Sequence, residues 1–384
     1  MQTRPFDKIA FWVLLFGTAA SGAAQSRPNV LLIFPDNLGW GEVGVYGSVR
    51  GVPTPRIDKL AAEGIRLNNF NVEYSCVVSR AALMTGRYAI RTGATQSGGI
   101  TLWEVTIAEA LKSLGYATGL FGKWHLGGDA PEGKREPSHQ GFDEFYGIPR
   151  TSNEAQTTVA NGSTARGTSF IWEGKAGAPV RHLKLFDMDS RRLIDREAAE
   201  RGIGFMERSV RERKPFFLYY PMTQIHFPTL THPDFAGKTE AGDIGDAMAE
   251  VDHNVGMMLD DRLGIRRNTI VFWCTDNGAE SRRPWRGSPG PWSGFSLRQA
   301  SRRGKERRNR VALDPENSIP CRGQQLRGRC WGFDGEGRGR RNPRSSAPRA
   351  GPGIGSDASE SIRSLRVRIA FTGQSTSIEK ATQE

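Results

Sequence analysis

The chain has 384 residues, of which 37% are hydrophobic and 24% charged, so it is long enough for one large domain or two ordinary ones. Its mean hydropathy of −0.49 excludes a membrane protein with several spans. The net charge of +12 comes from residues 281–384, which hold 22 basic and 9 acidic side chains, whereas the first 280 residues have a net charge of −1. The main body is therefore neutral, and the basic isoelectric point is no evidence that this body binds nucleic acid.

The N-terminus has the pattern of a secretory signal peptide over residues 1–24. Arg4 and Lys8 precede a short apolar run, and small residues up to Ala24 offer a cleavage site. A membrane anchor is the alternative, but the apolar run is short for a span. We therefore expect a secreted or periplasmic protein without stable membrane insertion. The four cysteines are too few for a disulfide scaffold.

Predicted strands and helices alternate along the main body. Continuous apolar runs, which are typical of buried parallel strands, lie at residues 29–34, 116–121, 216–220 and 269–273. Helix start and stop signals predict helices at residues 55–64, 106–115 and about 243–263. The charges of a further helical stretch, residues 191–213, are expected to form a solvated face. This alternation predicts an α/β domain over residues 25–294, with a mostly parallel sheet flanked by helices.

Polar residues follow each of the predicted strands. They are Asp36 and Asn37, Lys123 and His125, His226, and Asp276 and Asn277. Taken singly, each has an ordinary structural explanation, such as a turn for the Asp-Asn pairs or a buried structural role for the histidines. Since ligands bind beyond the carboxyl ends of the strands in open α/β sheets, these residues are expected to converge in one ligand-binding crevice.

Residues 76–87 read C-V-V-S-R-A-A-L-M-T-G-R. This segment resembles the signature C-x-P-S-R-x-x-L-x-T-G-R of the type I sulfatases, which belong to the alkaline phosphatase superfamily. Further segments similar to the family occur along the chain in the family's order, before and after this signature. They are residues 27–33, 36–41, 122–127, 141–147 and 275–278. The resemblance covers about residues 27–294 and implies an alkaline phosphatase/sulfatase-like fold.

The resemblance implies hydrolysis of sulfate esters of small molecules or glycans. In the family, a maturation enzyme oxidises the signature cysteine to Cα-formylglycine, whose hydrate attacks sulfur with one hydroxyl and expels sulfate with the other. Cys76 would be the precursor of this nucleophile, and Arg80 and His125 would stabilise its hydrate. Lys123 and His226 would hold sulfate oxygens, which agrees with the need to neutralise the charge of a sulfate ester.

The resemblance also implies one divalent cation, usually Ca²⁺, with Mg²⁺ as an alternative. The positions that match its ligands are Asp36, Asn37, Asp276 and Asn277. Carboxylate and amide oxygens suit these hard cations, and the chain has no Cys/His cluster with the spacing of a structural zinc site.

The chain departs from the family pattern in two places. Val78 stands where the signature has a proline that helps the maturation enzyme recognise the cysteine. After about Gly294 the resemblance ends, and the family's later lysine has no match because Lys305 lies in an Arg-rich run. Residues 295–384 are rich in Arg, Gly, Ser and Pro, with no periodicity before a weak stretch at residues 365–371, and are expected to be disordered. We expect an incomplete catalytic domain of impaired activity, followed by a frame-shifted or mis-joined tail.

Two other functions stay open at this point. A phosphomonoester or phosphodiester hydrolase of the same superfamily typically uses Thr or Ser as its nucleophile, so Cys76 followed by Ser79 and Arg80 favours a sulfatase. A non-enzymatic remnant could bind nucleic acid through basic residues of the tail, such as residues 337–341. The export signal argues against that partner, and we expect no nucleic acid.

Overall fold

The computed structural model describes residues 27–67, 70–94, 99–127, 135–158, 169–292, 294–296 and 369–371. The predicted signal peptide, Lys305 and all but five residues of the predicted tail lie outside these ranges. Among the described residues, none of the helices has the length and apolar character needed to cross a bilayer.

Nine strands form one sheet in the described part of the chain, in the order β2-β9-β8-β1-β7-β3-β4-β5-β6. Their bounds are β1 Asn29–Ile33, β2 Ile65–Leu67, β3 Ala117–Lys123, β4 Glu144–Ile148, β5 Phe170–Lys175, β6 Arg181–Leu185, β7 Phe216–Tyr220, β8 Thr269–Trp273 and β9 Ile369–Phe371. All neighbours pair in parallel except β4 with β5 and β5 with β6. The predicted mostly parallel sheet is confirmed.

Helices cover both faces of this sheet. They are α1 Pro55–Glu63, α2 Cys76–Thr85, α3 Ile107–Ser113, α4 Met188–Arg211 and α5 Gly242–Leu259. Successive strand residues point to opposite faces, so Leu31 of β1 packs in one core cluster with α1, α4 and α5, whereas Leu32 packs in another with α2 and α3. The layered α/β architecture thus follows from the apolar runs of the central strands.

Most predicted elements agree with the structure to within a few residues. The strand at residues 216–220 has the predicted bounds, and all five of its residues are buried. The predicted capping box is present, because Glu109 N donates to Thr106 Oγ1 at 3.1 Å and Thr106 N donates to Glu109 Oε2 at 2.7 Å. The helix predicted to reach about residue 263 ends earlier, at Leu259.

The prediction that the charges of α4 form a solvated face is wrong for the first turns of this helix. Arg191 and Asp195 are each only 1% exposed. Asp195 accepts hydrogen bonds from Thr223 N at 2.7 Å and from Gln224 N at 2.9 Å. These charges are buried because they bond the loop after β7, and a helical charge pattern alone cannot reveal that partner.

Candidate active site

Five neighbouring parallel strands, β8, β1, β7, β3 and β4, end at one edge of the sheet. Asp276 follows β8, Asp36 follows β1, His226 follows β7 and Lys123 ends β3. Parallel strands carry their carboxyl ends to the same edge, so residues far apart in the sequence meet there. All nine residues predicted for the site lie at this edge or on the adjoining α2, and we call this region the candidate active site.

Helix α2 supplies Cys76 and Arg80 from the same face, one turn apart. Arg80 is completely buried, and its Nη2 lies 2.8 Å from Asp276 Oδ2 and 3.6 Å from Asp36 Oδ2. Its Nη1 donates to the main-chain carbonyl of Lys123 at 2.9 Å. Arg80 therefore joins α2 to the ends of three strands.

Lys123 brings a second buried cation to the same carboxylates. Its Nζ forms an ion pair with Asp36, and both side chains are completely buried. The preceding Gly122 has φ +137°, and a Cβ there would lie 1.9 Å from the carbonyl oxygen of Pro221, so β3 can approach the loop after β7 only with glycine. Arg80, Lys123 and the two aspartates balance in formal charge, and we call these four residues the four-charge cluster.

The buried setting changes the proton affinities of the site. Burial opposes ionisation of Asp36, but Lys123 and Arg80 outweigh it and hold the pKa of this carboxyl below its usual range. Burial and the nearby Asp36 carboxylate raise the pKa of Asp276. Burial also raises the pKa of the Cys76 thiol to about 12. The unmodified thiol therefore stays protonated, which makes it a poor nucleophile.

His226 is held as a neutral ring. Its Nδ1 donates to the carbonyl oxygen of Phe227 at 2.6 Å, which leaves Nε2 facing Thr151 Oγ1 at 3.2 Å. Burial lowers the pKa of His226 to about 3. Burial and the nearby Lys123 also hold the pKa of the His125 ring well below its ordinary value.

Thr151 is a member of the site that the sequence did not indicate. It follows β4, and its Oγ1 lies 3.4 Å from Lys123 Nζ as well as within reach of His226. A threonine in a loop has no sequence signal, and only the position of β4 next to β3 brings it here. Thr151 thus connects the cation at the end of β3 with the imidazole after β7.

The oxygen atoms at the site fit a hard divalent cation. The four predicted ligands, Asp36, Asn37, Asp276 and Asn277, are each at most 3% exposed. Within the described residues, Asp36 Oδ1 and Asn277 Oδ1 are buried without a hydrogen-bond partner, a costly state that a cation would relieve. One ligand atom each of Asp36, Cys76 and His226 lies within 4.8 Å of the others, so the predicted nucleophile position adjoins Asp36 and His226.

Known proteins are similar to this chain in sequence and in fold. The sulfatase family model matches residues 28–316. The chain belongs to the sulfatase family. It is 38% identical to arylsulfatase A of Bos taurus in an alignment of 290 positions that covers 71% of this chain and 56% of that relative. It is 35% identical to human N-acetylgalactosamine-6-sulfatase over 285 residues, covering 68% of this chain and 52% of that relative.

A solved structure agrees with this assignment. The PsFucS1 sulfatase from Pseudoalteromonas sp. superposes with a TM-score of 0.62 at 32% identity, covering 69% of this chain and 58% of that one. The predicted family and fold class are therefore confirmed. This sulfatase-family chain spans about half the length of the curated relatives it matches. The family match extends to residue 316, past the boundary predicted at Gly294.

Proposed function

We propose that this chain hydrolyses sulfate esters of small molecules or glycans at the candidate active site. The observation that most supports the proposal is the meeting of Cys76, Asp36 and His226 within 4.8 Å, beside the buried cations Arg80 and Lys123. The named relatives, an arylsulfatase and an N-acetylgalactosamine-6-sulfatase, support the reaction class.

The residues divide between substrate binding and cation binding. Lys123 binds sulfate oxygens, and His226 does so when its Nε2 carries a proton, a state that the anionic ester favours. Both act strongly because their side chains are buried. The proposed ligands of the cation, Ca²⁺ with Mg²⁺ as the alternative, are Asp36, Asn37, Asp276 and Asn277. When bound, the cation supplies Lewis-acid stabilisation of the charge on the sulfate group.

Cys76 needs chemical conversion to take part. A protonated, buried thiol is a poor nucleophile, whereas formylglycine made from Cys76 by a maturation enzyme supplies a hydrated aldehyde with a reactive hydroxyl. Arg80 orients this group from one turn further along α2, and His125 accepts or donates a proton at its oxygen. We further propose a secreted or periplasmic location, which N-terminal sequencing of the mature protein would test by a start at Gln25.

Mass spectrometry and a paired assay test the proposed function. In a host that matures other sulfatases, the peptide that contains Cys76 should be lighter than the thiol form by about 18 Da. The purified protein should then hydrolyse 4-nitrophenyl sulfate faster than 4-nitrophenyl phosphate, and Cys76→Ala should remove this activity. A preference for phosphate would contradict the proposal and favour a phosphoester hydrolase.

A further inference from the structure

Glu280 is a buried carboxylate next to the proposed cation ligands, with 1% of its surface exposed. Its Oε1 accepts from Ser281 N at 2.8 Å and from Arg282 N at 2.9 Å. Its Oε2 accepts from Phe227 N at 3.2 Å and from Asn37 Nδ2 at 2.6 Å. All four partners are N–H donors, so Glu280 acts as an acceptor in every one of these bonds.

This arrangement decides which end of the Asn37 carboxamide faces the proposed cation. Only the oxygen of an amide can be a ligand, and the amide nitrogen of Asn37 is drawn to Glu280. Asn37 Oδ1 therefore turns the other way, where it lies 2.5 Å from Asn277 Nδ2. The main chain of Asn37 is also fixed, since Glu280 N donates to its carbonyl oxygen at 3.0 Å and its own N donates to Asp276 Oδ1 at 3.0 Å.

We propose that Glu280 is a positioning residue that sets the amide orientation of Asn37 and so presents its oxygen to the divalent cation. The inference rests on the proposed cation site and assigns a role to a residue outside the predicted ligand set. An aspartate at position 37 would not need this help, because its two carboxylate oxygens are equivalent.

The variant Glu280→Gln isolates the effect because it keeps the size of the side chain. The N–H groups of Ser281 and Arg282 retain the glutamine oxygen, so the glutamine NH₂ points at Asn37 and at the N–H of Phe227. Two NH₂ groups cannot bond each other, so Asn37 rotates its amide through half a turn. Asn277 has to rotate as well, because its Nδ2 would otherwise face the NH₂ of Asn37. The NH₂ of Asn37 then faces the cation, and Ca²⁺ affinity falls.

A double-mutant cycle measured by calorimetry with Ca²⁺ alone tests this inference. Glu280→Gln should weaken Ca²⁺ binding ~10-fold or more in the wild-type background, the size expected for one lost charged hydrogen bond. In the Asn37→Asp background the same change should not weaken Ca²⁺ binding, because the introduced carboxylate lies against the Glu280 carboxylate, which repels it, and accepts from the glutamine NH₂ once position 280 is changed. The exposed Glu240→Gln is the matched control and should change nothing.

Several outcomes would overturn the inference. An equal loss of affinity in both backgrounds means that Glu280 acts through Phe227 N instead, and no loss in either means that Asn37 is oriented by other contacts. If Glu280→Gln does not fold, the double variant of Glu280→Gln and Asn37→Asp decides the question. A folded double variant that binds Ca²⁺ supports the pairing of Glu280 with Asn37, and an unfolded one refutes it. Absence of Ca²⁺ binding in the wild type contradicts both this inference and the proposed cation site, whereas intact binding without sulfate ester turnover contradicts only the proposed reaction.

Discussion

The guanidinium group of Arg191 donates to the main-chain carbonyl oxygen of His226 at 3.0 Å. The same side chain donates to Thr223 Oγ1 at 2.8 Å and to Gln224 Oε1 at 3.2 Å, and it is 1% exposed. A buried cation on α4 thus fixes the loop that carries the proposed sulfate-binding histidine.

We expect Arg191→Met to loosen this loop. The substitution preserves most of the buried volume but removes every donor, so the free energy of unfolding should fall by about 3 kcal/mol. The KM for 4-nitrophenyl sulfate should rise more than kcat falls, because His226 is displaced while the chemistry at Cys76 is not. Urea unfolding and steady-state kinetics measure the two effects. The control variant Arg192→Met changes a half-buried neighbour, and its free energy of unfolding should stay within about 0.5 kcal/mol of wild type. An equal loss of stability in both variants would contradict the role assigned to Arg191.

Thr151→Val should lower kcat/KM for 4-nitrophenyl sulfate by about tenfold, since it removes one hydroxyl between Lys123 and His226 without changing the side-chain shape. Thr151→Ser retains the hydroxyl and should keep most of the activity. Steady-state kinetics of both variants at one pH measure kcat/KM, and circular dichroism checks that both variants fold. Activity that falls equally in the two variants would show that the methyl group matters rather than the hydroxyl.

Glu250 should make the stability of the protein depend on pH. Burial and the nearby Asp195 raise its pKa from 4.5 to about 8 in the folded state. The folded protein therefore binds this proton more tightly than the unfolded chain, and the stabilisation is complete below pH 4.5 and lost as pH rises towards 8.

The variant Glu250→Gln has no proton to lose and tests this effect. Urea unfolding in EDTA at about pH 5 and about pH 8 should show that wild type loses stability relative to the variant by on the order of a few kcal/mol. A difference between wild type and variant that is the same at both pH values would refute the assignment.

Val78→Pro should increase the conversion of Cys76. Val78 is the third residue of α2, where the main-chain N–H has no partner within the helix, so proline fits the first turn at little cost. It also restores the residue by which the maturation enzyme is expected to recognise the signature. Mass spectrometry should find a larger fraction of the modified peptide, and Val77→Pro, in the same turn but outside the signature position, should not increase it. Equal conversion in wild type and Val78→Pro would contradict the prediction.

The central part of the fold was predictable because its strands are buried on both faces and therefore read as unbroken apolar runs, as β7 does. The antiparallel strands β5 and β6 were not predicted. They come last in the strand order, with β6 as the outermost strand, and the first three residues of β6 are exposed, so no continuous apolar run marks them.

The site was predictable where its residues directly follow a buried strand, as Asp36 and Asp276 do. It was not predictable where a side chain acts through contacts between distant loops. Glu280 reaches Asn37 across 243 positions, and Arg191 reaches His226 across 35. Sequence patterns record local periodicity, and these pairings depend on how the strand ends are arranged in space.

The four-charge cluster has a consequence for the order and strength of ligand binding. Its two carboxylates and two cations cancel, so a divalent ion that enters alone leaves an unbalanced positive charge among buried side chains, and an anionic ester compensates for that charge. By thermodynamic linkage the divalent ion and the anionic ester must then each raise the affinity of the protein for the other by the same factor. Free sulfate should accordingly act as a cooperative partner of Ca²⁺ rather than as its competitor.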